Sequence, residues 1–341
     1  MQNKISWRCP SNIAIVKYWG KKENQIPANS SVSMTLSQSY TEIELELHEK
    51  QTSGIELEYF FEGKKNPSFE ERVLHYLVGN QNILPILSSH AVVINSKNSF
   101  PHSAGIASSA SAFGALALAM LDASFPEKYS NEPGNFYKIA SKLARLGSGS
   151  ACRSMYSPYS LWGKNELIIG STNEFAIELA GAHEDFLNVC DSILIVDEKP
   201  KKVSSSVGHS LMKDHEYATN RFAQANRRCG EIVQTLANGD WENFIRITES
   251  EALTLHAMMM SSNDPYLLMK PGTLLAIEKI QDFRRDTGLP ICFTLDAGPN
   301  VHVLYPAKVE EKVKPFLNDI MGIQANKIIH DKTGKGPEKL L

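Results

Sequence analysis

The chain has 341 residues, of which 42% are hydrophobic and 21% charged, and its formal net charge is −3. This length and composition suffice for a large core in one domain or in two lobes that share a cleft. The nearly balanced charge argues against a nucleic-acid-binding surface and against a polybasic membrane surface.

The five cysteines are scattered, and no CxxC pair occurs. An odd set of unpaired cysteines favours a reducing compartment over a disulfide framework. Residues 1–10 lack the apolar core of a signal peptide, and no apolar run is long enough to cross a bilayer. We therefore expect a soluble, cytoplasmic protein.

The first 121 residues are predicted to begin with β-structure and to end in a buried helix. Residues 41–48 alternate apolar and acidic side chains, as a half-exposed strand does, and 55–61 are the expected partner strand. A helix is predicted over 68–77 and a short strand over 91–94. Residues 95–105 are polar and predict a loop, of which 95–103 form a candidate mobile lid. The small, apolar residues that follow predict a buried helix over 106–121.

The rest of the chain mixes strands and helices without a repeat. Strands are predicted over 175–179, 193–196, 291–295 and 301–305, and helices over 135–146, 210–236, 241–260, 271–285 and 308–317. The polar tail from Asp331 is predicted to be a loose end, with a strand just before it as an alternative. Because no regular βαβ alternation appears, we expect an α+β fold, with a domain boundary within residues 171–193.

Ser103-Ala-Gly-Ile-Ala-Ser-Ser-Ala110 lies where the polar loop meets the buried helix. Free N–H groups at a helix N-terminus, small residues and serine hydroxyls all suit a phosphate group. It is not a Walker A motif, because no Gly-Lys-Ser/Thr follows. A tightly packed helix needs the same small residues, so the pattern alone supports both interpretations equally.

Leu146-Gly-Ser-Gly-Ser-Ala-Cys-Arg-Ser154 surrounds one arginine with two glycines and three serines. A guanidinium in such a turn suits a carboxylate or a phosphate, which it binds through two hydrogen bonds. A helix C-cap at Gly147 followed by a serine N-cap explains the same residues. Both interpretations can hold together, and Arg153 favours the functional one.

Three further segments are weaker on pattern alone. Lys17, Tyr18 and Lys21 follow an apolar run and suit a polyphosphate, although lysines in such positions are usually solvated. Asp296 precedes Ala-Gly-Pro, where local turn preference is the ordinary explanation. The serines of residues 203–208 are explained by helix capping, with a phosphate contact as the alternative.

Other catalytic patterns do not occur in the sequence. It has neither HExxH nor another zinc spacing, and it lacks the GxSxG of a hydrolase elbow. The isolated histidines His102, His209 and His256 are interpreted as ordinary structural residues.

Taken together, five segments occur in a distinctive order, namely 13–21, 29–36, 105–110, 147–154 and 296–300. They resemble the signature segments of the diphosphomevalonate decarboxylase family, within the GHMP kinase superfamily. The resemblance implies a two-lobed α+β fold with a central cleft. A ribosomal-protein-S5-like lobe is expected over 1–185 and a ferredoxin-like lobe over 186–341.

The resemblance also implies a reaction. ATP and mevalonate 5-diphosphate would yield isopentenyl diphosphate, ADP, phosphate and carbon dioxide, with Mg²⁺ as a cofactor and a homodimer as the assembly. Relatives that decarboxylate the 5-monophosphate, or that only phosphorylate the 3-hydroxyl, are alternatives, and so is a non-catalytic ATP and metabolite sensor. Retention of Asp296, Lys17 and Arg153 favours decarboxylation.

Residue by residue, the resemblance assigns three groups. The catalytic residues are Asp296, Lys17 and Arg153, of which Arg153 also binds the substrate carboxylate. The other substrate-binding residues are Tyr18, Lys21, Ser148, Gly149, Ser150 and Ser205. The ATP-binding residues are Ser96, Asn98, Ser103, Gly105, Ala107, Ser108 and Ser109, with Ser109 also assigned to Mg²⁺.

The chain departs from the family pattern beside these residues. Pro101-His102-Ser103 stands where the family usually has Pro-Thr-Ala, and Met155-Tyr-Ser-Pro158 replaces a frequent Gly-Gly pair. Gly208-His209 replaces the usual Gly-Met. These changes concern nucleotide and diphosphate contacts and leave Asp296, Lys17 and Arg153 in place.

Overall fold

The computed structural model describes residues 3–101, 106–199, 205–320 and 327–341. The predicted site residues Ser103 and Gly105, together with His102 and residues 203–204, lie outside these ranges. All other residues of the predicted site are described.

The strands of the described residues fall into two sheets. In chain order they are β1 (Lys4–Val16), β2 (Ser31–Glu49), β3 (Leu57–Phe61), β4 (Lys64–Lys65), β5 (His90–Asn98), β6 (Tyr159–Trp162), β7 (Ile177–Glu178), β8 (Val189–Ile195), β9 (Cys292–Thr294), β10 (Val301–Pro306), β11 (Lys327–Lys332) and β12 (Glu338–Lys339). The first sheet has the order β12-β1-β2-β5-β3-β4, with β6 beside β2 and β7 beside β6. The second sheet has the order β11-β8-β10-β9.

Helices pack on both sheets. In chain order they are α1 (Pro67–Asn80), α2 (Ile86–Ser89), α3 (Ser108–Ser124), α4 (Lys128–Asn131), α5 (Pro133–Gly147), α6 (Glu184–Leu187), α7 (Ser205–Ser210), α8 (Ala218–Asn238), α9 (Trp241–Met260), α10 (Pro271–Thr287) and α11 (Glu310–Ile320). Short 3-10 helices occur at Glu23–Gln25, Gly149–Met155 and Ala307–Val309. The mixture of two sheets and packed helices confirms the predicted α+β class.

Helix α3 owes its central position to its small residues. It is apolar on nearly every side, as a helix fully enclosed by protein must be. At Gly114 an added Cβ would lie 2.4 Å from the sulfur of Cys9, so only glycine fits where α3 crosses β1. This close packing brings the N-terminus of α3 beside the chain segments that follow β1 and α5.

The two sheets share a hydrophobic core. Ile13 and Ile15 of β1 pack in one cluster with Ile193 of β8, Ile232 of α8 and Leu304 of β10. The apolar side chains buried in this cluster hold the two lobes together. The cleft lies at the end of β1, where Lys17 follows Val16.

Strand β5 corrects the prediction of a loop over residues 95–98, whereas residues 102 and 103 of the expected lid lie outside the described ranges and its mobility stays a prediction. The strand continues to Asn98, where Thr41↔Asn98 is a register pair with β2, and it pairs in parallel with β3 on its other side. The backbone of Asn95 and Ser96 is thus paired on both sides and that of Lys97 and Asn98 with β2, which the polar composition did not reveal. The same pairing corrects the expected partnership of 55–61 with 41–48, because β3 lies beside β5 rather than β2.

The C-terminal tail is also ordered, contrary to the prediction of a loose end. Strand β11 pairs with β8, and β12 returns to pair with β1. The Asp331 carboxylate accepts hydrogen bonds from the backbone N–H groups of Ser37 and Ser39. A polar tail is held here by long-range backbone pairing, which local composition does not encode.

Two further boundaries differ from those predicted. The helix expected over 210–236 is divided, because α7 ends at Ser210 and α8 begins at Ala218. Between them the imidazole of His215 accepts a hydrogen bond from the Tyr217 N–H and is hydrogen-bonded to the Met258 carbonyl. The strand expected over 175–179 is reduced to Ile177–Glu178.

Candidate active site

The centre of the cleft is a lysine–aspartate pair that joins the two lobes. Lys17 Nζ lies 3.1 Å from Asp296 Oδ1 and donates a 2.6 Å hydrogen bond to the Ala14 carbonyl. The lysine side chain is 2% exposed, whereas that of Asp296 is 26% exposed and reaches the cleft. Burial lowers the pKa of Lys17, and the nearby Asp296 and Glu251 carboxylates partly offset that effect.

A buried ion cluster holds the backbone of Lys17. Glu251 of α9 accepts a 2.9 Å hydrogen bond from the Lys17 N–H. The same carboxylate is paired with Arg221 at 2.6 Å and with Arg228 at 2.8 Å, both from α8. Glu251, a residue of the C-terminal lobe, therefore positions the main chain of Lys17. The sequence interpretation missed this role of Glu251. An acidic residue inside a helix gives no local signal for it.

Arg153 lies at the wall of the same cleft, in the 3-10 helix that follows α5. Its guanidinium donates to Ser31 Oγ at 2.5 Å and to Asn12 Oδ1 at 3.4 Å, both neutral oxygens. Arg153 is 3% exposed, and burial lowers its pKa. Because these hydrogen-bond partners are neutral, they do not neutralise the positive charge of the guanidinium. That charge is available to pair with an anion in the cleft.

Around this centre the cleft has a volume of about 180 Å³ and is rich in hydrogen-bond donors. Its lining includes eleven of the predicted residues, namely Lys17, Tyr18, Lys21, Ala107, Ser109, Ser148, Gly149, Ser150, Arg153, Ser205 and Asp296. The Tyr18 hydroxyl is buried without a hydrogen-bond partner in the described structure. An unpaired buried hydroxyl beside cationic side chains fits a site completed by an anionic ligand.

Gly149 is required by this arrangement. A Cβ at that position would lie 2.9 Å from the Tyr18 hydroxyl. The glycine thus lets the backbone after α5 approach Tyr18. The hydroxyls of Ser148 and Ser109 lie 3.1 Å apart, so this segment also meets the N-terminus of α3.

A second, smaller pocket of about 80 Å³ adjoins the cleft. The predicted residues Ser96, Asn98, Ser108 and Ser109 line it, together with the aromatic rings of Tyr59, Phe61 and Phe69. Ser109 and Arg72 line both pockets. The serines at the start of α3 therefore stand between an apolar, aromatic pocket and a donor-rich cleft.

Arg72 is a site residue that the sequence interpretation missed. It comes from α1, far from every recognised motif, and its guanidinium lies 4.9 Å from the ring centroid of Phe113. It forms no ion pair with another described residue, and burial lowers its pKa. Burial lowers the pKa of Lys21, and the positive charge of Arg72 lowers it further, which places the two cations in the same region.

The isolated histidines differ in position. His209 lines the cleft, and its interpretation as an ordinary structural residue stays a prediction. His256 is hydrogen-bonded to the Asp296 carbonyl at 3.1 Å and so contacts the turn that carries the Asp296 carboxylate.

Two absences concern the described residues only. In that part of the chain, no group of three or more His, Cys, Asp or Glu side chains is arranged to hold a metal ion. No helix among the same residues is long and apolar enough to cross a membrane.

Comparison with known proteins identifies the family. Residues 9–173 match the family model described as the diphosphomevalonate decarboxylase-like N-terminal domain, and residues 192–340 match the mevalonate 5-diphosphate decarboxylase C-terminal domain. The diphosphomevalonate decarboxylase of Eremothecium gossypii is 31% identical over 340 residues, covering 93% of this chain and 81% of that protein.

Solved structures show the same relationship. Mevalonate diphosphate decarboxylase from Staphylococcus aureus superposes with a TM-score of 0.86 at 28% identity, covering 99% of this chain and 98% of that one. The protein MDDEF, solved in complex with MVAPP, AMPPCP and magnesium, superposes with a TM-score of 0.84 at 27% identity, with coverage of 99% and 98%.

The fold and the paired pockets define a two-lobed α+β enzyme of the GHMP kinase type. Within that class, the matches to both lobes are specific. The chain belongs to the diphosphomevalonate decarboxylase family.

Proposed function

We propose that this protein catalyses the ATP-dependent decarboxylation of mevalonate 5-diphosphate to isopentenyl diphosphate, ADP, phosphate and carbon dioxide. The observation that carries the proposal is the convergence of the Lys17–Asp296 pair and the buried Arg153 on one cleft. Family membership and the MDDEF complex with MVAPP and AMPPCP support it.

The proposed reaction has two stages. First, the tertiary hydroxyl oxygen attacks the γ-phosphorus, the bond between that phosphorus and ADP breaks, and the hydroxyl proton is released. Next, the carbon–oxygen bond breaks with its electron pair going to phosphate. The carbon–carbon bond to the carboxylate then supplies the pair that forms the alkene, and carbon dioxide leaves. The site must therefore orient a hydroxyl, hold a carboxylate and position a phosphoryl group.

Asp296 is assigned to the tertiary hydroxyl. Its carboxylate is partly exposed to the cleft and contacts Lys17 Nζ, which stabilises the negative charge. The ionised carboxylate accepts a hydrogen bond from the substrate hydroxyl. Through this contact it orients the hydroxyl and acts as the general base for its proton. The negative charge of Asp296 also stabilises positive charge that develops at the tertiary carbon.

Arg153 is assigned to the substrate carboxylate. Its fork is held by Ser31 and Asn12, so the guanidinium is oriented before the substrate binds. Two parallel hydrogen bonds would fix the carboxylate so that the breaking carbon–carbon bond is aligned with the leaving phosphate.

The substrate diphosphate is assigned to other donors of the cleft. Tyr18, Lys21, Ser148, Gly149 and Ser150 are among its lining residues, and Arg72 is added to them because it carries an unneutralised charge near Lys21. Ser205, which also lines the cleft, is assigned to the transferred phosphate.

The nucleotide is assigned to the smaller pocket. The rings of Tyr59, Phe61 and Phe69 suit a flat base, and Ser96 and Asn98 of β5 supply polar contacts. The ATP phosphates would then lie along the start of α3 at Ala107, Ser108 and Ser109, with Ser103 and Gly105 preceding it. Helix N-termini bind phosphate through free N–H groups and the helix dipole.

Mg²⁺ fits the hydroxyl of Ser109 in this scheme. That residue lines both pockets, between the site assigned to the base and the site assigned to the substrate. When bound, Mg²⁺ neutralises phosphate charge and helps to orient the phosphoryl group. The other ligands would be phosphate oxygens and water, because the described residues offer no cluster of carboxylates.

Three broader assignments are part of the proposal. The lobes divide at residues 1–185 and 186–341, the enzyme works in the cytoplasm, and it assembles as a homodimer. All five cysteines are free and buried, which suits a reducing compartment. Sedimentation of the purified protein tests the dimer directly.

The deciding experiment measures ADP and carbon dioxide in parallel with mevalonate, its 5-phosphate and its 5-diphosphate. We expect equal amounts of both products with the 5-diphosphate. ADP without carbon dioxide would instead show a 3-kinase, and turnover of the 5-monophosphate alone would change the substrate. No turnover with any of the three would favour a sensor.

A further inference from the structure

His209 occupies a position in the cleft to which no role has been assigned. It belongs to α7, is 8% exposed, and lines the cleft together with Tyr18 and Lys21. Its imidazole lies against two aromatic rings, with centroid distances of 4.3 Å to Tyr18 and 4.6 Å to Trp19. The ring is therefore held in a fixed plane at the wall of the site.

A backbone contact determines which ring nitrogen carries the proton. The Gly20 N–H donates a 3.0 Å hydrogen bond to His209 Nδ1. An Nδ1 atom that accepts a hydrogen bond carries no proton, so the proton of the neutral ring must be on Nε2. Nε2 is therefore the donor of the ring, and His209 lines the cleft.

The surroundings keep the ring neutral. Burial, together with the positive charges of Lys21 and Arg153, lowers the pKa of His209 to about 3. A histidine with a lowered pKa is neutral throughout the pH range in which the enzyme would work. His209 therefore offers one hydrogen bond and no charge, unlike the cations around it.

Close packing keeps this donor in place. At Gly208 an added Cβ would lie 2.5 Å from the indole of Trp19, so α7 sits directly against that ring. Gly20 has a φ of +94° and an added Cβ would lie 2.8 Å from Phe222. The acceptor and the donor of the His209–Gly20 hydrogen bond are thus both fixed by glycines that permit close approach.

Other donors in this region are also short of acceptors. Lys21 Nζ donates to the neutral Gln25 Oε1 at 3.2 Å, and the Tyr18 hydroxyl is buried without a partner. An anion with several acceptor oxygens satisfies such a set, whereas a neutral ligand does not.

We propose that His209 Nε2–H donates a hydrogen bond to a phosphate oxygen of the phosphorylated substrate and so contributes to its selection. This assignment rests on the proposed function for the identity of the substrate. The neutral imidazole supplies a directional hydrogen bond to the phosphate, whereas Lys21 and Arg72 supply positive charge.

Two substitutions separate the two nitrogens of the ring. His209→Asn keeps an acceptor near the position of Nδ1 for the Gly20 N–H and removes the donor at Nε2. His209→Gln places an amide donor near the position of Nε2 and loses the Nδ1 acceptor. If the Nε2 donor contacts the substrate, H209N raises the KM for mevalonate 5-diphosphate by about ten- to a hundredfold with little change in the KM for ATP. The KM of H209Q for mevalonate 5-diphosphate then lies closer to that of the unmodified enzyme.

A purely structural histidine predicts the reverse order. In that case H209N would behave like the unmodified enzyme and H209Q would lose activity and thermal stability together. That result would overturn the proposal. A rise in the KM for ATP alone would overturn it too, because it would place the contact on the nucleotide.

A binding experiment tests the contact without catalysis. Inorganic diphosphate is titrated into ¹⁵N-labelled enzyme, and the His209 imidazole signals are assigned by their loss in H209N. We expect the Nε2–H signal to move and its exchange with water to slow, while Nδ1 stays unprotonated. An unchanged signal, or a response to AMPPCP but not to diphosphate, would contradict the proposal. A diphosphate response in a protein that turns over no mevalonate derivative would refute the proposed function and leave the His209 contact standing.

Discussion

At the residue scale, the contact between Lys17 Nζ and Asp296 Oδ1 links a buried cation to a partly exposed anion. Replacing Asp296 by Asn keeps the shape of the side chain and removes its charge. We expect kcat to fall by about 10²–10³-fold, because the carboxylate acts on the reacting hydroxyl and on developing charge. AMPPCP binding, measured by calorimetry, should change little, since Asp296 lies in the cleft and not in the smaller pocket. Activity near that of the unmodified enzyme would remove Asp296 from the mechanism.

Arg153 makes a second prediction, based on geometry and not on charge. Arg153→Lys keeps the positive charge but cannot reproduce two parallel hydrogen bonds, nor the contacts to Ser31 and Asn12. We expect kcat/KM to fall by about ten- to a hundredfold, with carbon dioxide and ADP falling together. Arg227→Lys, at an exposed position on α8, is the matched control and should leave both products unchanged.

The lowered pKa of Lys17 predicts the alkaline side of the pH profile. Below that pKa the lysine is charged and supports the Asp296 carboxylate, and above it the charge is lost. Because the pKa is below that of an ordinary lysine, kcat/KM should decline at a lower pH than free lysine would predict. In Lys17→Arg, which stays charged, activity should be lower but the alkaline decline should disappear. A decline that persists in this variant would belong to another group.

At the element scale, the site is assembled from chain segments that are far apart in sequence. Strand β5 and helices α1 and α3 meet at the smaller pocket, while the ends of β1, α5 and β9 meet at the cleft. Motifs next to glycines and serines were recognisable in the sequence because those residues are required by close backbone approach. Arg72 was not recognisable, because an arginine on an amphipathic helix has the same local pattern whether it faces solvent or a ligand.

Arg72 is therefore the element-scale prediction. Arg72→Ala removes a cation shared by the two pockets and should raise the KM for mevalonate 5-diphosphate by about ten- to a hundredfold. Arg227→Ala serves again as the control, since that arginine is 64% exposed and pairs with Glu231 in the next helical turn. Equal kinetics for the two variants would show that Arg72 only packs against Phe113.

The limits of sequence reasoning follow the same division between local and long-range structure. The alternation of residues 41–48 correctly indicated a strand within β2, and the small residues of 106–121 correctly indicated the buried α3. The end of β5 and strand β12 were missed because their polar residues are ordered by pairing with distant strands. The assigned roles of individual site residues stay predictions, although the structure brings most of those residues together.

At the scale of the whole molecule, the cleft depends on how one lobe holds the other. Glu251 of the C-terminal lobe accepts the Lys17 N–H while its charge is balanced by Arg221 and Arg228. Removing the carboxylate would leave two buried guanidinium groups uncompensated. Glu251→Ala should therefore lower the free energy of unfolding by about 3–5 kcal/mol, as measured by urea denaturation.

The conservative change Glu251→Gln separates stability from positioning. The Glu251 charge raises the pKa of Lys17, so its loss should move the alkaline decline of kcat/KM to still lower pH. Glu249→Gln is the matched control, because Glu249 lies on the same helix and is paired at 2.5 Å with Arg284. This control should lower stability without moving the pH profile. If both variants shift the decline equally, the effect comes from general loosening of α9, and Glu251 has no specific influence on Lys17.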